Sequence, residues 1–218
     1  FAMLQTRLSD FESLKASRVN FLLIIVAAVV ATMPAVADRL QPYAVEAALG
    51  VGVIVLLLGV TTLFRSVEYS ISAAIVMRRA GRIRRWFVEQ DHSIAPYVAF
   101  PPRDDRPRML LGARFLGWRG GEGVLLTVNS SAAAVILGSA THLMYVGAAG
   151  RPLAAPYLAA VGAAGFVAVW LVQILWLRRK LHSVEVNEGA KEVHFPQNST
   201  VEAWYNGVEE SPDEQRDS

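Results

Sequence analysis

The sequence contains no cysteine, and few of its other side chains follow a pattern typical of catalysis or metal binding. Without cysteine, disulfide bonds, thiolate metal sites and cysteine nucleophiles are all excluded. The four histidines are scattered along the chain, and none has a partner at a metal-binding spacing. GxSxG, P-loop and HExxH motifs are missing as well. We therefore expect a protein that is not an enzyme and that binds neither a metal nor a cofactor.

Charge is also scarce, and the apolar residues are concentrated in long runs. Only 18% of the residues are charged, whereas 53% are hydrophobic. A transmembrane helix needs roughly 20 predominantly apolar residues. Four runs approach or exceed that length, at residues 20–37, 43–64, 123–147 and 153–177. Composition and run length together predict an all-α membrane protein with four transmembrane helices.

These runs divide the chain into five segments. We predict an amphipathic N-terminal helix at 1–19, a first transmembrane hairpin at 20–64, a basic cytoplasmic loop at 65–121, a second hairpin at 122–177 and a polar cytoplasmic tail at 178–218. The connections within the hairpins are only about five residues long, so the paired spans should be antiparallel. No helix breaker separates Phe64 from Met77, so the second helix should continue into the cytoplasm and end near Gln90 or Asp91.

Shorter elements are predicted outside the spans. A proline-rich, extended connector should occupy residues 94–107, followed by a short interfacial helix at 109–118. In the tail we predict two short strands at 183–186 and 191–195, a brief helix at 199–205 and disorder at 208–218.

Lysine and arginine are distributed very unevenly between the loops. The N-terminal segment holds three, the central loop eleven and the tail five, whereas the hairpin loops hold only Arg39 and Arg151. Positive residues accumulate on the cytoplasmic side of membrane proteins. Both termini and the central loop are therefore predicted to be cytoplasmic. The alanine- and arginine-rich composition further suggests a bacterium of high GC content, so we expect the membrane to be a bacterial inner membrane.

Five arginines lie within eight residues at the start of the central loop, and two aromatic residues follow at once. This basic segment consists of Arg78, Arg79, Arg82, Arg84, Arg85, Trp86 and Phe87. Guanidinium groups close to a bilayer attract anionic lipids of the cytoplasmic leaflet. They bind phosphates or an acidic protein partner equally well. No nucleic-acid-binding module accompanies the segment, so lipid or protein is the expected partner.

A second interpretation of the same arginines requires no partner. They would fix the membrane topology and pair with the carboxylates that lie between residues 89 and 105. The sequence does not decide between the two interpretations.

The third span is the least apolar, and small or polar residues recur along it. The stripe contains Thr127, Ser131, Gly138, Thr141 and Tyr145. Polar groups inside a membrane must face protein or water. The stripe therefore predicts either close helix packing or the lining of a pore.

Two ionisable residues fall inside the predicted spans. Glu46 is near the outer end of the second span, and His142 is near the outer end of the third. Intramembrane ionisable groups often mark proton or cation sites, so the two form a candidate pair. Alternatively, each is close enough to the headgroups to reach water. Gln173, in the fourth span, predicts an interhelical hydrogen bond.

Glycines in the second and fourth spans predict close helix packing. Gly52 and Gly59 lie in the second span, and Gly162 and Gly165 lie in the fourth. Small residues permit the backbones of neighbouring membrane helices to approach closely. The pattern does not decide between packing within one chain and packing between copies.

The run IRRWFVEQDHSIAPYVAFPPRDDRP resembles a group of uncharacterised bacterial four-span membrane proteins. In these proteins an arginine-rich helix ends in the pattern IR-x-[FYW]-F and leads into a P-Y…P…DD-x-P connector. The resemblance covers roughly residues 10–107 and implies a recurring cytoplasmic element, but no activity.

The sequence as a whole predicts a non-catalytic inner-membrane protein. It would assemble with itself or with other membrane subunits and present its basic loop to a cytoplasmic partner or to anionic lipid. The alternative is an oligomeric channel lined by the third span. A small proton- or cation-coupled transporter that uses Glu46 and His142 is a further, weaker hypothesis.

Overall fold

A computed structural model of the chain describes residues 2–98 and 121–189. Within these ranges the chain forms four long helices, α1 (Ala2–Arg39), α2 (Ala44–Gln90), α3 (Gly121–Ala149) and α4 (Ala155–Val184). Two 3-10 turns, Gln41–Tyr43 and His92–Tyr97, precede and follow α2. A π-helical turn, Glu185–Gly189, follows α4.

All four helices are long and apolar enough to cross a membrane. The shortest, α3, has 29 residues, and the longest, α2, has 47. At 1.5 Å per residue α2 is about 70 Å long, more than twice the hydrocarbon thickness of about 30 Å. For the described residues the prediction of an all-helical protein with four helices able to span a membrane is thus confirmed, and these helices indicate a multi-pass membrane protein.

Two helices extend beyond the boundaries that the sequence suggested. The first is continuous across residue 19, because neither glycine nor proline interrupts it before Pro34. At the other end of the chain, the predicted strand at 183–186 is wrong, since α4 reaches Val184 and the π-helical turn follows. There Asn187 Nδ2 donates a 3.1 Å hydrogen bond to Ser183 Oγ, one helical turn earlier.

The connector after α2 also departs from its predicted extended form. Asp91 Oδ1 accepts hydrogen bonds from the backbone N–H of Ser93, at 2.9 Å, and from its hydroxyl, at 2.7 Å. Such an Asx turn redirects the chain locally, and residues His92–Tyr97 form a 3-10 turn. The rest of the connector, the helix at 109–118 and the elements predicted beyond residue 189 lie outside the described residues.

The contacts divide the chain into two compact units, each treated separately below. We call the described parts of Ser13–Tyr69 and Gly112–Arg179 the membrane unit. The described parts of Phe1–Glu12, Ser70–Leu111 and Lys180–Ser218 form the basic unit.

The interior of the membrane unit is built around α3. Its buried side chains include Leu125 and Leu126, and the other helices contribute Leu22, Leu63 and Ile174. Apolar burial of this kind supplies little energy relative to lipid, so van der Waals packing and hydrogen bonds must hold the helices together.

Glycines bring both α2 and α4 close to α3. A methyl group added at Gly52 would lie 3.0 Å from Ile136 Cγ1, and one added at Gly162 would lie 3.6 Å from the Ala134 carbonyl oxygen. At Gly165 an added methyl would overlap Leu137. The glycines that the sequence singled out therefore serve packing inside one chain.

Candidate functional site

The basic segment places its arginines on opposite faces of α2. Arg78 and Arg85 are buried, with Gly81 and Val88 on the same side. Arg79, Trp86 and Phe87 are exposed, whereas Arg82 and Arg84 are half-buried. The buried side of this part of the helix therefore contains charged side chains as well as apolar ones.

Arg78 is the most deeply buried charge in the basic unit, with only 1% of its side chain exposed. Its Nη2 donates to both carboxylate oxygens of Glu185, at 2.8 and 2.9 Å. Such a charge-assisted contact places a carboxylate directly against a buried guanidinium. It joins α2 to the π-helical turn, two parts of the chain that are 107 residues apart.

Sequence reasoning missed Glu185 because it assigned residues 183–186 to a strand. The helical signal was nevertheless present. Leu177, Leu181 and Val184 continue the apolar spacing of α4 past its basic residues. This helical spacing predicts that Glu185 lies on the surface of a helix and not in an extended tail.

Arg85 pairs within its own helix. Its Nε donates a 2.7 Å hydrogen bond to Glu89 Oε1, four residues along. The expectation that some arginines pair with nearby carboxylates is confirmed for this residue. Pairing with Asp104 or Asp105 lies outside the described residues.

The exposed aromatic residues of the segment contact each other. Trp86 is 56% exposed and Phe87 is 49% exposed. Their ring centroids are 5.0 Å apart at an interplanar angle of 77°, an edge-to-face arrangement. The two rings form one exposed aromatic surface, and Arg79, two helical turns earlier, is exposed as well.

A cluster of neutral polar side chains lies inside the membrane unit. Asn129 Nδ2 donates a 2.9 Å hydrogen bond to Gln173 Oε1, which joins α3 to α4. Ser130 Oγ donates to the Leu126 carbonyl oxygen at 2.7 Å. Gln173 Nε2 lies 3.5 Å from Ser130 Oγ and 3.3 Å from the Val169 carbonyl oxygen. The interhelical hydrogen bond predicted for Gln173 is confirmed, and its partner is Asn129.

The side-chain oxygen of Asn129 lies directly against α2. Asn129 is fully buried, and its Oδ1 has no hydrogen-bond partner in the part of the chain that the structure describes. A methyl group added at Gly59 would overlap that oxygen. Only a Cα–H group fits there, and such groups donate weak hydrogen bonds to oxygen.

The predicted stripe of α3 lies partly on its open side. Thr127 and Ser131 are exposed, and a methyl group at Gly138 would meet no atom within 4 Å. Thr141 and Tyr145 are half-buried. The Thr127 hydroxyl donates to the Gly123 carbonyl oxygen at 3.0 Å, so it is satisfied within its own helix. The polar residues of α3 therefore divide between an inner cluster and an outer face.

The two candidate ionisable residues are not paired with each other. Glu46 is exposed in the first turn of α2, where the helix dipole favours a negative charge. His142 is half-buried, and its Nδ1 lacks a hydrogen-bond partner within the described ranges. The same ranges contain no group of three or more side chains that could hold a metal ion.

Charged residues gather at one end of the membrane unit, which sequence reasoning did not anticipate. Lys15 forms an ion pair with Glu122 in the first turn of α3, and Ser66 Oγ donates to the same carboxylate at 3.3 Å. The guanidinium of Arg18 lies 5.5 Å from the centre of the Tyr69 ring. Such a belt of charge and aromatic surface is typical of a membrane–water interface.

Comparison with known proteins found no matching family model, no matching curated protein and no matching solved structure. The arrangement of the described residues therefore carries the functional argument.

Proposed function

We propose that the protein is a non-catalytic integral membrane protein that assembles as a homo-oligomer or as a subunit of a larger complex. It presents the basic segment at the cytoplasmic face to a partner or to anionic lipid. The observation that carries the proposal is the exposed pair of rings of Trp86 and Phe87, on a helical segment that also carries the exposed Arg79. Tryptophan and arginine are the residues most enriched at binding hot spots.

The ion pairs of the buried arginines support the same proposal. Arg78 and Arg85 direct their charges at Glu185 and Glu89, so they serve the stability of the unit. Topology alone does not require an exposed pair of aromatic rings in this segment. A surface held in place by internal ion pairs is suited to binding.

We further propose two antiparallel hairpins in a bacterial inner membrane, with both termini and the basic segment cytoplasmic. The short connections Leu40–Tyr43 and 150–154 support the hairpins. A left-handed Gly150, with φ of 64°, ends α3 and turns the chain. The concentration of lysine and arginine outside the two connections supports the orientation.

The absence of native cysteine makes the orientation directly testable. Single cysteines replacing Arg39, Arg151 or Tyr97 can be labelled in intact cells with a membrane-impermeant maleimide. Arg39→Cys and Arg151→Cys should react from outside, and Tyr97→Cys should react only after permeabilisation. Labelling of Tyr97→Cys in intact cells would refute the cytoplasmic assignment.

Assembly and binding can be measured on protein extracted in a mild detergent. Native mass spectrometry should detect an oligomer, a complex with other subunits, or retained anionic lipid. Lipid or partner retention should fall in Arg79→Gln/Arg82→Gln and persist in the matched variant Arg178→Gln/Arg179→Gln. A bare monomer without bound lipid or protein would contradict the proposal.

An oligomeric pore lined by α3 is the second candidate function. The exposure of Thr127 and Ser131 favours it, because these side chains lie on a face that a second copy or water can reach. The inward position of Asn129 and Ser130 counts against it. Ion flux into liposomes distinguishes the two functions: Ser131→Trp should block a pore, whereas Val53→Trp on the exposed side of α2 should not.

A further inference from the structure

Helices α2 and α3 of the membrane unit contact each other at a regular interval. Three contacts define this seam, and they join Gly52 to Ile136, Gly59 to Asn129 and Ser66 to Glu122. Each step of seven residues forward along α2 is matched by a step of seven residues backward along α3, so the two helices run antiparallel. A contact interval of seven residues is that of helices packed as in a left-handed coiled coil.

The apolar residues of the seam do not select one relative position of the two helices by themselves. In water, a register that turns apolar side chains outward is unfavourable. In a membrane this penalty is absent, because lipid tails are as apolar as leucine. The register of α2 against α3 must therefore be fixed by steric fit and by polar contacts.

The contact between Gly59 and Asn129 rejects a slip of α2 by one helical turn. Asn129 Oδ1 occupies the space where a side chain at position 59 would lie. A slip of one turn would bring Val55 or Leu63 there, since both are buried on the same side of α2, four residues from Gly59. Either side chain would overlap the oxygen. Helix α4 holds the oxygen in place, because Gln173 Oε1 accepts a hydrogen bond from Nδ2 of the same amide.

A slip of seven residues is rejected at other contacts of the seam. It would bring Gly52 against Asn129 without overlap, but Val45 would then take the place of Gly52. There even a methyl group would lie only 3.0 Å from Ile136 Cγ1. The same slip would remove the Ser66 hydroxyl from the carboxylate that accepts its hydrogen bond at 3.3 Å. A slip in the opposite direction would bring the side chain of Ser66 against Asn129.

We propose that Asn129 and Gly59 form a register lock, a contact that allows α2 and α3 to pack in one relative position only. Asn129 Oδ1 has no hydrogen-bond partner among the described residues, and an unmade hydrogen bond is unfavourable for a buried acceptor. A buried asparagine likewise fixes the register of coiled coils at a loss of stability. The lock acts within the membrane unit and is independent of the partner that the basic segment binds.

Disulfide trapping reports the register of the full chain in membranes, because the chain has no native cysteine. Gly52→Cys/Ile136→Cys reports the observed register. Ala48→Cys/Ile136→Cys and Leu56→Cys/Ile136→Cys report slips of one turn in either direction, and Val45→Cys/Ile136→Cys reports a slip of seven residues. With the lock intact, oxidation by copper phenanthroline should cross-link the first pair in preference to the others. Only cross-links within one chain, which keep the mass of a monomer, are counted.

Removal of the amide should release the lock. Asn129→Ala should raise cross-linking of the one-turn pairs relative to Gly52→Cys/Ile136→Cys roughly tenfold, the change in population that one buried polar contact can produce. Asn129→Ser also removes Oδ1 and should give the same redistribution, so a second variant tests the lock if the first does not fold. Ser130→Ala is the matched control, because Ser130 is equally buried but its hydroxyl donates to Leu126 in its own helix. It should leave the ratio unchanged.

Two results would overturn the register lock. Exclusive cross-linking of the observed-register pair in both Asn129 variants would show that apolar packing alone sets the register. An equal redistribution in Ser130→Ala would show that the loss of any buried polar group loosens the seam, so that no single contact fixes it.

Discussion

The two units bury polar side chains by different means. In the membrane unit the buried polar groups include Asn129, Ser130 and Gln173, all neutral and joined by hydrogen bonds. In the basic unit they are Arg78 and Arg85, both charged and paired with glutamates. Neutral amides can be satisfied in hydrocarbon without a counter-ion, whereas a charge there is costly. The membrane unit thus buries the neutral form of polarity that hydrocarbon permits, and the basic unit buries a charged form.

This difference also predicts how much stability each unit loses when one polar side chain is substituted. An ion pair that loses one partner leaves an uncompensated buried charge, and this costs more than one lost hydrogen bond between neutral groups. The basic unit should therefore be the more sensitive of the two to single polar substitutions.

The largest effect is expected at Arg78–Glu185. Replacing Glu185 by Gln removes the counter-charge of a buried guanidinium and should cost about 3–5 kcal/mol of local stability. Hydrogen exchange at the end of α4 and along Ser70–Gln90 measures that loss. The matched control is Glu68→Gln, which breaks the exposed Arg65–Glu68 pair and should cost about 0–1 kcal/mol.

A double substitution tests whether charge is the cause. Arg78→Met/Glu185→Leu replaces the pair by apolar groups and should recover most of the lost stability. Equal destabilisation by Glu185→Gln and Glu68→Gln would show that burial of the ion pair has no energetic consequence.

The next largest effect is expected at Gly59. An alanine methyl would overlap Asn129 Oδ1, so either the buried Asn129 side chain or the helices must shift, at a cost of about 1–3 kcal/mol. Gly138→Ala is the matched control, because its methyl enters open space in α3. Unfolding in mixed micelles measures both. If the overlap is responsible, Asn129→Ala should abolish most of the difference between Gly59→Ala and wild type.

A smaller effect is expected for the hydrogen bond between Asn129 and Gln173. A double-mutant cycle with Asn129→Ala and Gln173→Ala should give a coupling energy of about 0.6 kcal/mol, and at most about 1.7 kcal/mol. A coupling energy for Asn129–Gln173 as large as the effect expected for Arg78–Glu185 would contradict the predicted difference between the two units.

The sequence predicted the features that depend on local patterns. Run length predicted four spanning helices, and the uninterrupted spacing beyond Phe64 predicted that α2 would reach Gln90, where it ends. Gly52, Gly59 and Gln173 were likewise recognised as packing residues from their type and position.

The sequence could not predict contacts between distant segments. The partner of Arg78 is 107 residues away, and no local pattern relates the two positions. The same holds for Lys15 with Glu122, which join α1 to α3. Nor could composition alone show that α3 would turn Asn129 inward and Thr127 outward, because both residues are polar and only two positions apart.

The smallest expected effect is a dependence of stability on pH, which the basic unit should show at Asp91 and the membrane unit should not show at Asn129–Gln173. Hydrogen bonds from the Ser93 side chain and backbone lower the pKa of Asp91 below its usual 3.8. Because the folded-state pKa of Asp91 is lower than its unfolded-state pKa, the turn is stabilised at pH values above the unfolded-state pKa. This contribution is lost as pH falls through the folded-state pKa.

Ser93→Ala should move the Asp91 pKa back toward 3.8, which carboxyl carbon chemical shifts measure. The Asn129–Gln173 hydrogen bond joins two side chains that do not titrate. Its coupling energy should therefore stay the same as pH falls through the pKa of Asp91. A parallel change at both places would mean that the pH response belongs to the whole protein rather than to the Asx turn of the basic unit.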